Sequence, residues 1–594
     1  MNFLEMPRIR IAVVDKDRCQ PKKCAQECVK YCPKVRTGAE DTVIVKEKAE
    51  ISEELCVGCG ICVKKCPFKA ISIVGLPHEL EGKEVHRYGK NGFVLYNLPI
   101  PRKGYVIGLL GPNGTGKTTA VKILTGQLKP NLGRIDELSW DEIFERFAGT
   151  ELLNYMKDLA EGKIKTSVKP QYIEAIPKIY KGRARDLLER VDELGIMDEM
   201  VEKLNLRNCL NREVKDLSGG ELQRLAIAGC LMKNADFYFL DEITSYLDIN
   251  QRINTAKVIK EKAEKKPVLI VEHDLAILDM LADFVHISYG EAGVYGVITP
   301  AKGARVGINQ YLRGYLVEEN VRIREKPIEF EIFQPRQDVS EKVLVEYPHF
   351  TKTLNGFRLE VEAGDIRCEE VLGVVGQNAT GKSTFVKILA GVLQDDEKKV
   401  DLKLKVSYKP QYVKADVSMP VGMFLKKINP MVDSSYYKTE FIKPLGLDKL
   451  MDRNLDELSG GELQRVAIVA CLLREADLYL LDEPSAHLDV EQRMEVARII
   501  RRFALNFSKS VLVVDHDIYL IDMISDRLMV FQGVPGKRGI ARKSMGMREG
   551  MNTFLAGLGI TFRRDEETKR PRVNKLGSRL DREQKAKGEY YYYF

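Results

Sequence analysis

The sequence GLLGPNGTGKTTAVKILTG, residues 108–126, decides the fold of this chain, and it returns in altered form as GVVGQNATGKSTFVKILAG, residues 373–391. Each copy places the pattern G-x-x-x-x-G-K-[ST] between an apolar run and a segment with helical spacing. Glycines let the backbone curl so that successive N–H groups point inward, and the following helix adds its positive N-terminus. The pattern therefore predicts two phosphate-binding loops, each between a strand and a helix.

The polar residues of the two loops have predicted roles. We expect Lys117 and Lys382 to reach the β- and γ-phosphates of a nucleotide, and the hydroxyls of Thr118 and Ser383 to bind Mg²⁺. The other predicted nucleotide contacts are Gly111, Asn113, Gly114, Gly116 and Thr119 in the first copy, and Gly376, Asn378, Thr380, Gly381 and Thr384 in the second.

Three further motifs repeat at matching distances from the loops. LSGGELQR begins at Leu217 and at Leu458, an Asp-Glu pair ends an apolar run at residues 241–242 and 482–483, and His-Asp follows at 273–274 and 516–517. Ser218 and Asp241 are 23 residues apart, as are Ser459 and Asp482. Short apolar runs such as VIGLL alternate with helical stretches, which predicts an α/β fold with a mostly parallel sheet in each copy.

The two Asp-Glu pairs are the candidate catalytic carboxylates. They follow buried strands, so they should lie at the carboxyl edge of each sheet, where open α/β sheets bind ligands. We expect Asp241 and Asp482 to hold Mg²⁺ through water. Glu242 and Glu483 are placed to polarise the attacking water.

The copies also differ. The first has about 25 extra residues between its loop and the next motif, and their apolar spacing predicts a helix–loop–helix insertion over about 136–162, broken at Gly149. The second copy continues its carboxylate pair with Pro-Ser and the first with Ile243-Thr244. Loss of the proline frees φ at a sharp turn, but both carboxylates remain, so both sites are expected to hydrolyse ATP.

Eight of the twelve cysteines precede residue 67, a clustering that points to metal or iron–sulfur ligation. One run reads C-x2-C-x2-C-x3-C-P, as in bacterial ferredoxins, and a looser run precedes it. The ferredoxin crossover predicts two 4Fe-4S clusters, one held by Cys19, Cys24, Cys28 and Cys66, the other by Cys56, Cys59, Cys62 and Cys32. Zinc is the alternative, although its sites usually pair two shorter knuckles. The other cysteines, 209, 230, 368 and 471, suggest no catalysis.

Charge and hydropathy limit the class of protein. The net charge of +7 is concentrated in residues 534–594, which contain 15 Lys and Arg against 7 Asp and Glu. This segment is either a solvated tail or a surface for phosphate-rich material. No apolar run is long enough to span a bilayer and no signal peptide is recognisable, so a cytoplasmic monomer is expected.

The repeated motifs resemble those of the ABC ATPases over most of residues 77–534. The resemblance implies that Gln171 and Gln411 sense Mg²⁺ and γ-phosphate, and that His273 and His516 hold the γ-phosphate and the water. It implies that two ATP molecules lie between the copies, each also contacted by the other copy's signature motif, Ser218, Gly219 and Gly220 or Ser459, Gly460 and Gly461. Adenine should stack on an upstream aromatic ring, either Tyr88 or Phe93 in the first copy and either Tyr347 or Phe350 in the second.

A ferredoxin-like module followed by two ABC domains resembles subfamily E of the ABC proteins, the RNase L inhibitor family, over essentially the whole chain. The resemblance implies binding to the small ribosomal subunit and to a release-factor-type protein, and ATP-driven splitting of ribosomes into subunits. An ATP-gated iron–sulfur electron-transfer protein and a transporter motor are the alternatives. The predicted parts are an α+β iron–sulfur domain (1–76), two ABC domains (77–298 and 341–534) and two hinges (299–340 and 535–594).

Overall fold

The computed structural model describes residues 9–77, 80–330, 342–354, 356–413, 418–574 and 577–591. Within those ranges, no helix is both long and apolar enough to cross a lipid bilayer.

The N-terminal domain packs short elements around its cysteines. Strands β1 and β4 pair antiparallel from Ile11 opposite Val74 to Val14 opposite Ile71, and β2 pairs with β3. Six of the eight clustered cysteines lie in or against one apolar cluster with Ala12, Val43 and Ile51. The elements are β1 (Ile9–Val14), α1 (Glu27–Lys30), α2 (Pro33–Arg36), β2 (Val43–Val45), β3 (Ala49–Ile51), α3 (Ile61–Lys65) and β4 (Ile71–Leu76).

The first ABC domain is built on a sheet of nine described strands in the order β5-β6-β12-β11-β7-β10-β9-β8, with β13 beside β11. The central strands β7, β10 and β9 are parallel and fully buried, as their continuous apolar runs predict. Its elements are β5 (Glu84–Arg87), β6 (Val94–Tyr96), β7 (Val106–Leu110), α4 (Lys117–Leu124), α5 (Trp140–Phe147), α6 (Leu152–Ala160), β8 (Thr166–Lys169), α7 (Ile176–Ile179), α8 (Ala184–Val191), α9 (Met197–Lys203), α10 (Gly219–Met232), β9 (Phe237–Asp241), α11 (Ile249–Ala263), β10 (Val268–Val271), α12 (Leu275–Leu281), β11 (Phe284–Glu291), β12 (Tyr295–Ile298) and β13 (Lys302–Gly303).

The predicted insertion is confirmed as the helix pair α5 and α6. Ser139 caps α5 in a capping box with Glu142, and Gly149 takes a φ of +76° between the helices, which suits a residue without a Cβ. Ile143 and Met156 are completely buried in the same apolar cluster as the phosphate-loop helix α4. The insertion is therefore packed onto the first ABC domain.

A connecting segment joins the two ABC domains. It comprises α13 (Ala304–Arg313), which ends at Gly314 in the left-handed conformation, and a short hairpin of β14 (Tyr315–Leu316) with β15 (Val321–Arg322). The end of the predicted first hinge, residues 331–340, lies outside the described residues.

The second ABC domain repeats the first sheet in the order β17-β18-β25-β24-β20-β23-β22-β21, with β26 beside β24, again nine described strands. Its elements are β16 (Val343–Tyr347), β17 (Phe350–Leu354), β18 (Phe357–Val361), β19 (Gly364–Arg367), β20 (Val371–Gly376), α14 (Lys382–Leu389), β21 (Val406–Lys409), α15 (Val421–Ile428), α16 (Ser435–Tyr437), α17 (Gly460–Leu472), β22 (Leu478–Asp482), α18 (Val490–Asn506), β23 (Ser510–Val514), α19 (Ile518–Ile524), β24 (Arg527–Val534), β25 (Arg538–Ala541) and β26 (Met545–Gly546).

The predicted end of the second ABC domain at residue 534 is wrong. Strand β24 turns back antiparallel into β25, which pairs parallel with β18, and β26 pairs with β24. The sheet therefore runs to residue 546. The first copy contains the same hairpin in β11 and β12 within its predicted boundary, but β13 also pairs with β11, so its sheet likewise extends past the predicted end at residue 298.

The basic segment after residue 546 is folded where it is described. It forms α20 (Met547–Leu558), a hairpin of β27 (Phe562–Arg564) with β28 (Pro571–Val573), and α21 (Arg579–Lys587). Arg570 and Arg572 pair with the buried Asp279 of the first domain. Arg564 pairs with Asp522 of the second domain at 2.8 Å. These arginines join the segment to both domains and are not part of a solvated tail.

Candidate functional site: two composite phosphate sites and two cysteine cavities

The two phosphate loops have matching geometry. Gly116 and Gly381, with φ of +87° and +98°, cap helices α4 and α14. The Lys117 ammonium donates to the carbonyls of Gly111 and Pro112 at 2.8 and 2.7 Å, and Lys382 makes the same pair of bonds in its own loop. Burial lowers the pKa of both lysines to about 8. A phosphate placed here would favour their charged forms.

Glu242 and Glu483 end their strands in the left-handed conformation, with φ of +47° and +48°. Such a φ costs a residue with a Cβ on the order of 1 kcal/mol or more, so the surroundings must impose it. The Glu242 amide donates to the Val271 carbonyl at 2.9 Å, and its carbonyl accepts from Gln223 and from the buried Lys169. The second copy repeats this arrangement, which shows that the backbone aims each glutamate into its site.

The predicted Gln residues lie against these glutamates. Gln171 donates to the Glu242 carboxylate at 2.5 Å, and Gln411 donates to that of Glu483 at 2.7 Å. The structure thus brings together in each copy a glutamine and a glutamate that are about 70 residues apart in sequence.

The preceding aspartates are deeply buried beside the phosphate loops. Burial, reinforced by the adjacent glutamate, raises the pKa of Asp241 and of Asp482 to about 6. Neither carboxylate oxygen of Asp482 accepts a hydrogen bond of normal geometry from the described residues. The nearby Ser383 hydroxyl nevertheless acts to lower the pKa of Asp482. A buried carboxylate that lacks a firm partner is suited to a hard cation.

The two histidines differ in their surroundings. The His516 Nε2 lies 3.5 Å from the Glu483 carboxylate. Burial raises the pKa of Glu483, but the hydrogen bond and charge of His516, with Lys382 and Gln411, lower it to about 2. Burial, followed by the charges of Lys117 and Arg493, lowers the pKa of His273 well below its ordinary value.

Both signature motifs begin a long helix. Ser218 is the N-cap of α10 and Ser459 that of α17, each in a capping box with a glutamate three residues later. The glycines that follow present free N–H groups of the first helical turn, where an anion is favoured. This confirms the predicted position of Ser218, Gly219 and Gly220, and of Ser459, Gly460 and Gly461, at helix starts.

The copies contact each other through the segment after each carboxylate pair. The Asn378 amide in the second phosphate loop donates to the Asp248 carboxylate of the first copy at 2.8 Å, and its side chain donates to the Tyr246 carbonyl at 3.3 Å. In the other direction Asp489 is the acidic group that raises the pKa of Lys117 most. Each phosphate loop therefore faces an aspartate of the opposite copy, a pair that the sequence analysis did not single out.

A second pair of missed residues supports the turn after each glutamate. In the second copy the Ser485 amide and hydroxyl donate to the Asp515 carboxylate at 2.9 and 2.7 Å. In the first copy Thr244 donates in the same way to Glu272. The acidic residue that directly precedes His273 and His516 is the signal that could have identified this contact.

The predicted adenine-stacking residues of the second copy are wrong. Tyr347 and Phe350 are 2% and 1% exposed and pack on Phe385 in the core, so neither ring has a free face. Phe357 lies beside the phosphate loop instead, since a Cβ at Gly381 would lie 3.1 Å from its ring. The repeated tripeptide Asn-Gly-Phe, residues 91–93 and 355–357, is the missed signal.

In the first copy the structure places both predicted aromatic residues at the phosphate loop. A Cβ at Gly116 would lie 2.8 Å from the Phe93 ring. The Tyr88 hydroxyl is 3.2 Å from the hydroxyl of Thr119, and its ring is 42% exposed. The position of Phe93 matches that of Phe357, which makes Phe93 the better candidate for stacking.

The eight N-terminal cysteines surround two cavities. One is lined by Cys19, Cys24, Cys28 and Cys66. The other is lined by Cys32, Cys56, Cys59 and Cys62. Each cavity thus takes three cysteines from one run and one from the other, which is the predicted grouping. Burial, together with neighbouring thiols, raises the pKa of Cys28 and of Cys62 to about 11, so several thiolates can coexist in either cavity only around a positively charged centre.

Matched sheets, two phosphate loops, two acidic strand ends and two cysteine cavities define the class: a tandem ABC ATPase with an iron–sulfur domain. The family model described as ABC transporter matches residues 99–245 and 359–486. "Possible Fer4-like domain in RNase L inhibitor" matches residues 9–40, and "4Fe-4S binding domain" matches 49–72.

Relatives over the full length identify the family. The chain is 54% identical to an uncharacterized ABC transporter ATP-binding protein of Methanocaldococcus jannaschii and 46% identical to translation initiation factor RLI1 of Saccharomyces cerevisiae, over 98% of both chains in each case. It is 45% identical to ABC transporter E family member 1 of Arabidopsis thaliana, again over 98% of both chains. The chain belongs to the E family of ABC proteins.

Solved structures agree. The chain superposes with a TM-score of 0.94 and 56% identity on a structure titled as ribosome-bound archaeal Pelota and ABCE1, covering 99% of this chain and 100% of the other. A complex of archaeal ribosomal stalk protein aP1 with ribosome recycling factor aABCE1 matches with a TM-score of 0.83 and 57% identity, over 87% and 100%. The family and the repeated sites make this chain an ATPase with bound iron–sulfur clusters.

Proposed function

We propose that this protein uses ATP binding and hydrolysis to split ribosomes into subunits, together with a release-factor-type protein. The observation that carries the proposal is the full-length similarity to an archaeal ABCE1 described on the ribosome with Pelota. The similarity to a recycling factor described with a ribosomal stalk protein supports it. Both descriptions support binding to the ribosome, and membership of the E family extends the proposal to the small ribosomal subunit and to a cytoplasmic location.

The chemistry assigned to each site follows from its residues. Glu483 is the general base of the second site, because it ends the strand next to Asp482 and Gln411 orients its carboxylate. Glu242 is the general base of the first site, where Gln171 donates a hydrogen bond to its carboxylate. His273 and His516 would contact the γ-phosphate and the water.

Mg²⁺ would be held by Thr118, Gln171 and Asp241 in the first site, and by Ser383, Gln411 and Asp482 in the second. It would neutralise phosphate charge there. The unsatisfied carboxylate of Asp482 beside Ser383 supports this assignment.

Each ATP would lie between the copies, one between Lys117 and Ser459 and the other between Lys382 and Ser218. Contact of Asn378 with Asp248 across the interface supports this arrangement, because the opposite copy already reaches the phosphate loop. Closure on ATP and reopening after hydrolysis would then move the attached iron–sulfur domain.

The deciding experiment is sedimentation of post-termination ribosomes mixed with the protein, a release factor and ATP. Free subunits should appear, and they should be absent with ADP or with the Glu242→Gln, Glu483→Gln double variant. Intact ribosomes in every mixture, with ATP hydrolysis still measurable, would refute ribosome splitting while leaving the ATPase assignment in place. Removal of Mg²⁺ by a chelator of divalent ions should stop hydrolysis in the same preparation.

A further inference from the structure

A buried lysine lies behind the glutamate at each acidic strand end. The tetrapeptide Lys-Pro-Gln-Tyr occurs at residues 169–172 and again at 409–412, and its glutamine is the one that donates to the glutamate carboxylate. The lysine ends β8 in the first copy and β21 in the second. Lys169 is 0% exposed and Lys409 is 1% exposed. Burial lowers the pKa of both ammonium groups to about 8, so a charged lysine there must be stabilised by the groups around it.

The two lysines lie between the sheet and the signature helix. Along β8, Ser167 and Lys169 are the two buried positions, and the Ser167 hydroxyl donates to the Cys230 carbonyl of α10 at 2.8 Å. In the second copy Ser407 makes the same bond to Cys471 of α17, also at 2.8 Å. Because residues two apart in a strand share a face, each lysine lies on the face that packs against the signature helix.

Each ammonium binds two successive carbonyls of the backbone. The Lys169 Nζ donates to the Asp241 and Glu242 carbonyls at 2.6 and 3.0 Å. Lys409 makes the same two bonds in the second copy, at 2.8 and 3.1 Å. These carbonyls belong to the peptide groups on either side of the glutamate Cα. One ammonium, which has three donors, therefore fixes the orientation of both peptide groups.

This double contact depends on the left-handed backbone of the glutamate. In an extended strand successive carbonyls point to opposite sides, whereas helical dihedral angles of either hand bring them to the same side. Glu242 and Glu483 have φ of +47° and +48°, so one ammonium reaches both carbonyls. A return to the extended conformation would break one of the two bonds. The lysine therefore stabilises a conformation that is unfavourable for a residue with a Cβ.

A glutamine of the signature helix binds the same backbone. The Gln223 Nε2 donates to the Glu242 carbonyl at 2.6 Å, and the Gln464 Nε2 donates to the Glu483 carbonyl at 2.7 Å. Both glutamines are buried. The glutamine donates to one carbonyl and the lysine to two, so the lysine is the group that fixes the angle between the two peptide groups.

We propose that Lys169 and Lys409 are positioning residues for ATP hydrolysis, each holding the backbone of its glutamate so that the carboxylate is presented to the attacking water. The inference rests on the proposed general-base role of Glu242 and Glu483. A lysine that acts in this way should affect the chemical step and not ATP binding, and only while the glutamate is present. A lysine that serves the fold alone would show neither restriction.

The test replaces Lys169 by methionine, which keeps an apolar stem and removes the ammonium, in the full-length protein with its clusters. A Glu483→Gln background restricts turnover to the first site while both phosphate loops remain intact. Lys169→Met should lower the single-turnover rate by about 10²-fold, the usual effect of a reacting group displaced by about 1 Å, and leave the Kd for ATP unaltered. Lys165→Met, at an exposed position just before β8, is the matched control and should change neither quantity.

A double substitution separates positioning from a structural role. Added to Glu242→Gln, Lys169→Met should lower the residual hydrolysis no further, because the carboxylate that it positions is already gone. An equal loss with and without Glu242 would overturn the inference. So would an unaltered rate in Lys169→Met, or a loss that appears in the Kd for ATP and not in the rate.

The second copy repeats the test independently. If Lys169→Met yields no folded protein by circular dichroism, Lys409→Met in a Glu242→Gln background decides the question, with the same expected loss of rate. Failure of both lysine variants to fold would overturn the positioning role, because the ammonium groups would then be needed for the sheet itself. If the Glu483→Gln protein hydrolyses no ATP while Lys169 is intact, the proposed catalysis at the first site fails instead, and Lys409→Met still tests the lysine.

Discussion

The two ABC copies share a sheet order, yet they differ in what supports each nucleotide site. In the second copy the ring beside the phosphate loop, Phe357, lies on β18 of its own sheet, and His516 lies against Glu483. In the first copy the corresponding loop with Phe93 is hydrogen-bonded through Asn91 to the N-terminal domain, and His273 is buried near Lys117 and Arg493. The two sites therefore contain the same site residues in different surroundings, so they should respond differently to the same substitution.

The largest expected effect comes from the catalytic glutamates. Glu483→Gln and Glu242→Gln should each lower hydrolysis at their own site by about 10²- to 10⁴-fold, because the general base is removed while its hydrogen bond to glutamine can persist. Single-turnover hydrolysis in backgrounds with one working phosphate loop measures each site. If Glu242→Gln leaves turnover unchanged while Glu483→Gln abolishes it, the first site is structural and the copies are not catalytic equals.

The next comparison concerns the C-terminal segment, which pairs with equivalent aspartates of the two copies. Asp279→Asn leaves the fully buried Arg570 without its paired carboxylate and should weaken the packing of β28 on the first domain by about 3–5 kcal/mol, the usual cost of an uncompensated buried charge. Asp522→Asn should cost less, because Arg564 is partly exposed and Tyr591 remains beside it.

Amide hydrogen exchange in β27 and β28 measures both effects as opening free energies. Equal losses for the two substitutions would contradict the unequal burial of the arginines. The exposed Arg548–Glu589 pair gives the matched control, since Arg548→Ala should alter exchange very little.

A smaller effect is expected at the adenine platforms. Phe93→Ala and Phe357→Ala should each weaken ATP binding at their own site by about 1–2 kcal/mol, since an aromatic face worth on the order of 1 kcal/mol is lost with some apolar contact. Tyr347→Leu is the control, because this buried ring lies in the core and its removal should lower stability while the folded protein binds ATP as before. Weaker ATP binding by folded Tyr347→Leu would reinstate the rejected assignment.

The smallest effect is expected at Ile243, where the first copy lacks the proline that follows the carboxylate pair of the second copy. Ile243→Pro should change stability by less than about 1 kcal/mol, because gain from a stiffer unfolded chain offsets lost apolar burial. Thr244 would still donate to Glu272, so the turn keeps its support. Hydrolysis at the first site should stay within about twofold, and a loss comparable to that of Glu242→Gln would show that the turn itself sets the rate.

The sequence predicted the features that depend on short motifs. Phosphate loops, acidic strand ends and signature helices each need fixed residue types at fixed spacing, and the insertion is visible as 3.6-residue periodicity. The assignment of cysteines to two clusters follows from the ferredoxin pattern, in which the fourth cysteine of each run binds the other cluster. Only the later of the two runs matches the spacing of that pattern well. These predictions depend on residues that are close to one another in the sequence.

The errors arose where the structure depends on distant contacts. Tyr347 and Phe357 are both aromatic residues upstream of the loop, and only packing on Phe385 distinguishes the core ring from the surface ring. Strands β25 and β26 are short and rich in Gly and Arg, so their place in the sheet is set by pairing with β18 and β24. The aspartates Asp248 and Asp489 acquire a role only when the copies meet.

The exchange of cysteines between the two cavities constrains how the N-terminal domain can be assembled or altered. The first cavity takes Cys66 from the later run, and the second takes Cys32 from the earlier one. Each cysteine run therefore needs the other to complete its cavity. Neither run can be deleted or loaded with a cluster independently of the other. Replacement of Cys32 or of Cys66 should therefore remove a ligand from the cavity that is otherwise lined by the other run, so the domain takes up its two clusters as one unit.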